Sequence, residues 1–126
     1  MPLTNAGRDF IAQAIINDDT PTFFTNANAH IGVGNGTGGN AESTDLTGAS
    51  KTRRPMEDTY PQRSNNQLTF RSEFGGAHAN YAWAEWGVFN GASGNTMLSR
   101  KVEALGTKAE DSTWVLTVTI TVNIGS

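Results

Sequence analysis

The end of the chain alternates between core-type and mostly polar side chains over about 11 residues, which predicts a β-strand with one buried face. The apolar set is Trp114, Leu116, Val118, Ile120, Val122 and Ile124, and Val115, Thr117, Thr119, Thr121 and Asn123 lie between them. Such a strand exceeds the usual length of about five or six residues, so we expect it to run the full height of a β-sandwich or barrel. Its threonine-rich face suits contact with solvent, a second sheet or a subunit.

The rest of the chain predicts a mainly β fold, an antiparallel sandwich or barrel with one short N-terminal helix and a long loop or arm. Thr4 and Asn5 are suitable helix N-caps, and an apolar face follows at helical spacing. Residues 37–50 show no periodicity and read as a loop. Pro55 and Pro61 argue against a central strand at 52–67, which leaves an edge strand or an arm laid on a partner.

One domain over residues 1–126 accounts for this length. We predict the helix at about 4–17, the loop and arm at about 37–67 and the β-core at about 68–124. Within the core, residues 68–74 alternate as a half-buried strand that ends at two glycines.

An aromatic hairpin is predicted at residues 80–102, where two β-rich runs flank a Gly/Ser/Asn segment. Strict alternation places Glu85 on the face of Tyr81, Trp83 and Phe89, and burial there would raise its pKa, as a general acid requires. A structural role is favoured, because a turn near residues 92–93 puts Glu85 opposite Lys101 and diagonal to Arg100.

Two further features of the hairpin have competing interpretations. Gly87 could bulge the strand and redirect Glu85. Tyr81, Trp83 and Trp86 could form a platform for sugar rings, but core packing is favoured, because aromatics dominate the cores of small β-domains.

Two motifs with possible chemistry are better explained structurally. Residues 34–39 match G-x-G-x-x-G, but no helical pattern follows, so we expect a glycine turn rather than a phosphate site. His30 and His78 lie in separate segments without metal-ligand spacing, so we expect surface or hydrogen-bonded histidines. No catalytic residue, metal ligand or cofactor site is predicted.

Composition argues against several kinds of partner and several kinds of site. The net charge is −3, and the largest basic cluster is Lys51, Arg53 and Arg54, which argues against direct nucleic-acid binding. The chain has no cysteine, so thiolate metal sites and disulfides are excluded. No apolar run approaches the roughly 20 residues that span a bilayer, and no export signal is visible, so no membrane contact is expected.

The arm offers the candidate partner interface. Arg53 and Arg54 stand beside a proline and could dock on an acidic patch, although solvated loop charge explains them equally well. Met56 and Tyr60 supply apolar anchors in the same segment. We expect function, if it is localised, to lie at residues 37–67.

Four segments, residues 3–8, 31–34, 80–89 and 96–100, resemble small accessory virion proteins of tailed bacteriophages. These include head decoration (cement) proteins and tail-fibre-like N-terminal domains. The most specific motif is Glu85-Trp86-Gly87-Val88-Phe89. The resemblance brings no catalytic residues, and the short chain, without a fibre shaft, favours a head protein.

The resemblance implies an all-β, non-enzymatic protein that binds the major capsid protein on the virion exterior and bridges neighbouring capsid subunits. It further implies a homotrimer or another symmetry-matched assembly, formed in the host cytoplasm. A tail or baseplate adaptor is the alternative, followed by a carbohydrate-binding module. An enzyme ranks last.

Overall fold

The computed structural model describes residues 2–123 and consists of one helix and seven strands in that range. The elements are α1 (Asn5–Ile15), β1 (His30–Gly34), β2 (Lys51–Pro55), β3 (Gln62–Ser64), β4 (Gln67–Phe74), β5 (Ala82–Phe89), β6 (Met97–Thr107) and β7 (Trp114–Thr121). The mainly β prediction with one short N-terminal helix is therefore confirmed.

The strands form two antiparallel sheets that pack as a sandwich. One sheet has the order β2-β1-β5-β6, and the other has the order β3-β4-β7. Apolar side chains from both sheets build the core between them, with Ile31 and Val33 from β1, Val88 from β5, and Phe70 and Ile120 from the smaller sheet. The period-2 patterns of β4 and β7 thus bury one face each, as expected from the sequence.

The helix begins and ends close to its predicted limits. Thr4 is the N-cap, and its hydroxyl accepts the N–H of Gly7 at 2.9 Å. Phe10 on the helix packs edge-on against Phe24 at 5.0 Å, and Phe24 does the same against Phe70 of the core at 6.5 Å. This chain of rings joins the helix to the sandwich.

Gly7 sets how closely the helix approaches β6. A Cβ at this position would lie 2.1 Å from the main-chain oxygen of Leu98, so glycine is required by contact rather than by its dihedral angles. The segment before the helix also lies close to β6, because Leu3 forms an antiparallel bridge with Ser99. Residues 2–4 are thereby fixed along the first part of the β6 edge.

The predicted end of the terminal strand needs correction, whereas one interpretation of residues 52–67 is confirmed. The terminal strand ends at Thr121 rather than near residue 124, and Ile124 lies outside the described residues. The strand of 11 residues is β6 instead. The segment at 52–67 forms the edge strands β2 and β3, so the edge-strand interpretation is confirmed over the arm.

Candidate functional site

Glu85 lies on the outer face of β5, away from the sandwich core. Trp86 is its neighbour and belongs to the core, and successive side chains of a strand point to opposite faces. Trp83 also reaches the core, because the β5–β6 register is irregular between Trp83 and Glu85. The prediction that Glu85 shares a face with Trp83 is therefore wrong, and the irregularity does not lie at Gly87.

The carboxylate of Glu85 is fully buried and is surrounded by main-chain donors from residues 35–50, called the 35–50 loop below. The N–H groups of Gly36 and Gly48 donate to Oε2 at 3.0 and 2.7 Å. The N–H of Thr47 donates to Oε1 at 2.9 Å. One side chain thus accepts hydrogen bonds from both ends of the loop.

Arg100 completes this arrangement from β6. Its Nη2 and Nε atoms lie 2.8 and 3.2 Å from Oε1 of Glu85, and its side chain is 6% exposed. The guanidinium also donates to the carbonyl of Gly38. The predicted cross-strand ion pair with Arg100 is confirmed, and we call Glu85 and Arg100 the buried pair.

The expected pairing of Glu85 with Lys101 is wrong. Phe89 pairs with Met97, and an uninterrupted register from there would place Lys101 opposite Glu85. The register shifts by one residue between Val88 and Phe89, so Val102 stands opposite Glu85 instead. Lys101 forms an ion pair with Glu103 at 3.0 Å, with both side chains about half exposed.

The glycines at 34–39 now have a specific explanation. A Cβ on Gly34 would lie 2.6 Å from Oε2 of Glu85, and one on Gly36 would lie 2.7 Å from it. Glycine lets the backbone approach an anion closely, as in phosphate-binding loops, but here the anion is the protein's own carboxylate. The interpretation as a structural turn agrees with this geometry.

Electrostatics keep Glu85 charged. Burial alone would raise its pKa, but the hydrogen bonds from the Thr47 N–H, from Arg100 and from the two glycine N–H groups outweigh that effect. The pKa of Glu85 is therefore lowered, which is opposite to the direction that a general acid requires.

Asp45 binds the second half of the loop to β2. Its carboxylate lies 3.0 Å from Nζ of Lys51 and 3.5 Å from Nη2 of Arg53. Burial acts to raise the pKa of Asp45, yet hydrogen bonds from Lys51 and the Leu46 N–H, with the charges of both bases, lower it. Two carboxylates with lowered pKa values thus hold the loop.

Acid is expected to destabilise the protein through these two groups. Because their pKa values are lower in the folded than in the unfolded state, their stabilisation is present above the ordinary carboxyl pKa of about 4. It is lost as the pH falls from there through the lowered pKa values. Denaturant titrations at decreasing pH should show this fall in the free energy of unfolding, and the fall should be smaller in Glu85→Gln.

The guanidinium of Arg53 makes its contacts within the protein. Its guanidinium stacks 3.6 Å above the centre of the Phe89 ring. It also donates to the carbonyls of Gly91 and Gly94 at 3.0 and 2.9 Å, and its side chain is 12% exposed. Arg53 therefore joins the β5–β6 turn to the 35–50 loop instead of presenting a charge to a partner.

The other three candidate interface residues lie in different surroundings, two in or against the core and one at a surface groove. Met56 is buried in the core, and Tyr60 packs against the core from a half-buried position. Arg54 donates to the carbonyl of Glu73 at 3.1 Å and lines an open groove of about 490 Å³. The groove residues are Arg54, Pro55, Met56, Glu57, Asp58 and Glu73. Its charges are mostly acidic, so it does not fit the predicted docking on an acidic patch.

The aromatic rings of the hairpin are structural. Trp83 is 2% exposed, contacts Phe74 and Trp114 edge-on, and donates its indole N–H to the carbonyl of Ala79. Trp86 is also buried, and the Tyr81 hydroxyl donates to the carbonyl of Val33. Neither tryptophan face is available to a sugar, so core packing is confirmed for both.

Both histidines make local hydrogen bonds. Nδ1 of His30 lies 2.8 Å from the carbonyl oxygen of Asn28, and Nδ1 of His78 accepts the N–H of Gly75 at 3.1 Å. Within residues 2–123, no group of three or more metal-ligating side chains is close enough to hold a metal ion.

One buried charge was missed by sequence reasoning. Lys108 is 1% exposed, and its Nζ donates to the carbonyl of Gly75 at 2.6 Å and to the side chain of Asn80 at 2.8 Å. These contacts hold the residues preceding β5 against the end of β6. A lysine among polar neighbours carries no sequence signal for burial.

No protein-family model matches the chain, and no curated protein sequence matches it. Across residues 2–123, no helix combines the length and apolar character needed to cross a membrane.

Proposed function

We propose that this protein is a non-enzymatic virion component of a tailed bacteriophage, a head decoration protein that binds the major capsid protein on the outside of the head. The observation that supports this most is spatial. The four segments that resemble phage accessory proteins come from three separate regions of the chain, since residues 80–89 and 96–100 belong to one hairpin, and these regions adjoin in the fold. A likeness distributed over one structural unit is stronger evidence than four unrelated short matches.

The contacts among those segments are direct. Leu3 bridges Ser99, which joins the first segment to the last. Gly34 pairs with Glu85, which joins the second to the third, and Glu85 binds Arg100, which joins the third to the last. The resemblance therefore covers the strands and the ion pair that support the 35–50 loop.

The loop is the contact surface that we propose for the capsid. Its residues 37–42 are exposed. Glu85 holds the loop main chain at Gly36, Thr47 and Gly48, and Arg100 holds it at the carbonyl of Gly38. A surface ordered before binding loses less conformational entropy when it docks. Many copies bound only to the assembled lattice would stabilise that lattice by mass action and would bridge neighbouring capsid subunits.

A bulky residue in the loop should block this docking. Thr44 is exposed, and replacing it by tryptophan is expected to weaken adsorption to heads lacking the protein at least about tenfold, since a side chain at a packed interface must be accommodated. Ser64→Trp on β3, an exposed position in the other sheet, is the matched control and should bind normally. Co-sedimentation with heads measures both.

Two outcomes would contradict the proposal. Heads that bind neither the original protein nor the control exclude a decoration role, and equal binding of both variants excludes the loop as the contact. A tail adaptor would instead co-purify with tails at low copy number. The carbohydrate alternative loses its support, because its proposed aromatic platform is buried.

A further inference from the structure

The two sheets have four edges, and three of them carry features that prevent pairing with another strand. β2 holds three basic residues and ends in Pro55. β3 is only three residues long and contains Arg63. Short length, charge and proline are the usual means by which an edge strand avoids association.

β6 is protected in a different way. The N-terminal segment covers its first part through the bridge between Leu3 and Ser99 and the bond from the Thr4 N–H to the Leu98 carbonyl. Its second part carries Lys101 and Glu103 and a register irregularity against β5. Bulges and charges of this kind interrupt a regular ladder.

β7 has none of these features. Its eight residues contain no charge and no proline, and its pairing with β4 runs without a register shift. No residue among 2–123 pairs with its outer edge. A long, regular and uncharged edge is the type that proteins normally cover.

The groups at this open edge can be identified. The N–H of Val122 donates to the carbonyl of Asn66 on the β4 side. Along an antiparallel strand, the N–H and C=O groups of successive residues point alternately to one edge and the other. Those of Val115, Thr117 and Thr119 therefore point to the open edge. The side chains of these same residues are exposed on the outer face of the sheet.

We propose that the β7 edge pairs antiparallel with β7 of a second copy of this chain, with Thr117 opposite Thr117. A two-fold axis at Thr117 pairs odd-numbered residues with odd-numbered residues and even-numbered with even-numbered ones. Core-facing residues therefore lie beside core-facing residues, and the threonine-rich faces of the two copies form one continuous surface. Val115 then stands opposite Thr119, and no like charges meet. Two three-stranded sheets become one of six strands.

This contact differs from the homotrimer that the resemblance implies, because a two-fold contact closes after two copies. It is also independent of the capsid, so a failure to bind heads would leave it standing. The isolated protein is expected to dimerise.

Sedimentation velocity across a concentration series tests the pairing. Thr117→Lys places two like charges opposite each other at an exposed position, so the dimer dissociation constant should rise about threefold to tenfold. Gln62→Lys on β3, the other edge of the same sheet, should leave it unchanged. Tryptophan fluorescence confirms that each variant is folded.

The absence of cysteine allows a second, structural test. Directly opposed residues in such a pair have Cα atoms about 5.5 Å apart, within the range of a disulfide. Thr117→Cys should therefore form a covalent dimer under mild oxidation, and Gln62→Cys should not. A monomeric protein, a trimer unaffected by Thr117→Lys, or equal cross-linking of both cysteine variants would overturn the proposal.

Discussion

Replacing Glu85 by glutamine is expected to lower the free energy of unfolding by about 3 to 5 kcal/mol, because it removes one partner of a buried ion pair. The Arg100 guanidinium would remain buried without its counter-charge. The main-chain donors of Gly36, Thr47 and Gly48 would also lose a carboxylate that accepts all of them. Urea titration measures the change.

Glu103→Gln is the matched control for this substitution. It makes the same chemical change in the exposed ion pair with Lys101, where the expected loss is below about 1 kcal/mol. Hydrogen exchange should further show that Glu85→Gln increases exchange at the N–H groups of Gly36, Thr47 and Gly48. Equal small losses in the two variants would contradict the structural role of the buried pair.

Gly7→Ala is expected to destabilise the protein by about 1 to 3 kcal/mol, although helix propensity alone predicts a gain of about 1 kcal/mol. The added methyl would lie 2.1 Å from the Leu98 main-chain oxygen, so the helix must move away from β6. That movement would disturb the Thr4 N–H bond to Leu98. The two physical effects thus predict opposite signs.

Ala12→Gly separates these effects, because residue 12 is exposed on the same helix. It should cost about 1 kcal/mol through propensity alone. Thermal or urea unfolding of both variants gives the comparison. A stabilised Gly7→Ala protein would show that the helix does not pack closely on β6.

The regular strands were predictable because each has one buried face. In β4 and β7 the apolar residues recur at every second position, so the period alone identified the face that enters the core. The helix was similarly marked by its N-cap Thr4. Its apolar spacing was less informative, because Gly7 is its buried residue and Ile15 is 78% exposed. These are local properties that a sequence carries directly.

The surroundings of Glu85 were only partly predictable. Arg100 was identified as its partner, but the register shift between Val88 and Phe89 moved Lys101 away, and no glycine or proline in that pair of residues signals such a shift. The register irregularity between Trp83 and Glu85 likewise has no marker in the sequence. Side-chain spacing cannot reveal a change in backbone register.

The organisation of the 35–50 loop was invisible for a different reason. Its donors to Glu85 are main-chain N–H groups, which every residue except proline carries, so no residue type marks them. The glycines were the available signal, since they permit a close approach to an anion. The identity of that anion depends on which distant segment the loop meets.

The number of copies per virion, relative to the major capsid protein, tests the proposed function most directly. A protein that binds the capsid lattice on the head exterior should be present in many copies, in a fixed ratio of small whole numbers to the major capsid protein. A cryo-EM map should place the 35–50 loop against that lattice. A few copies confined to the tail, or none on the particle, would contradict a decoration role.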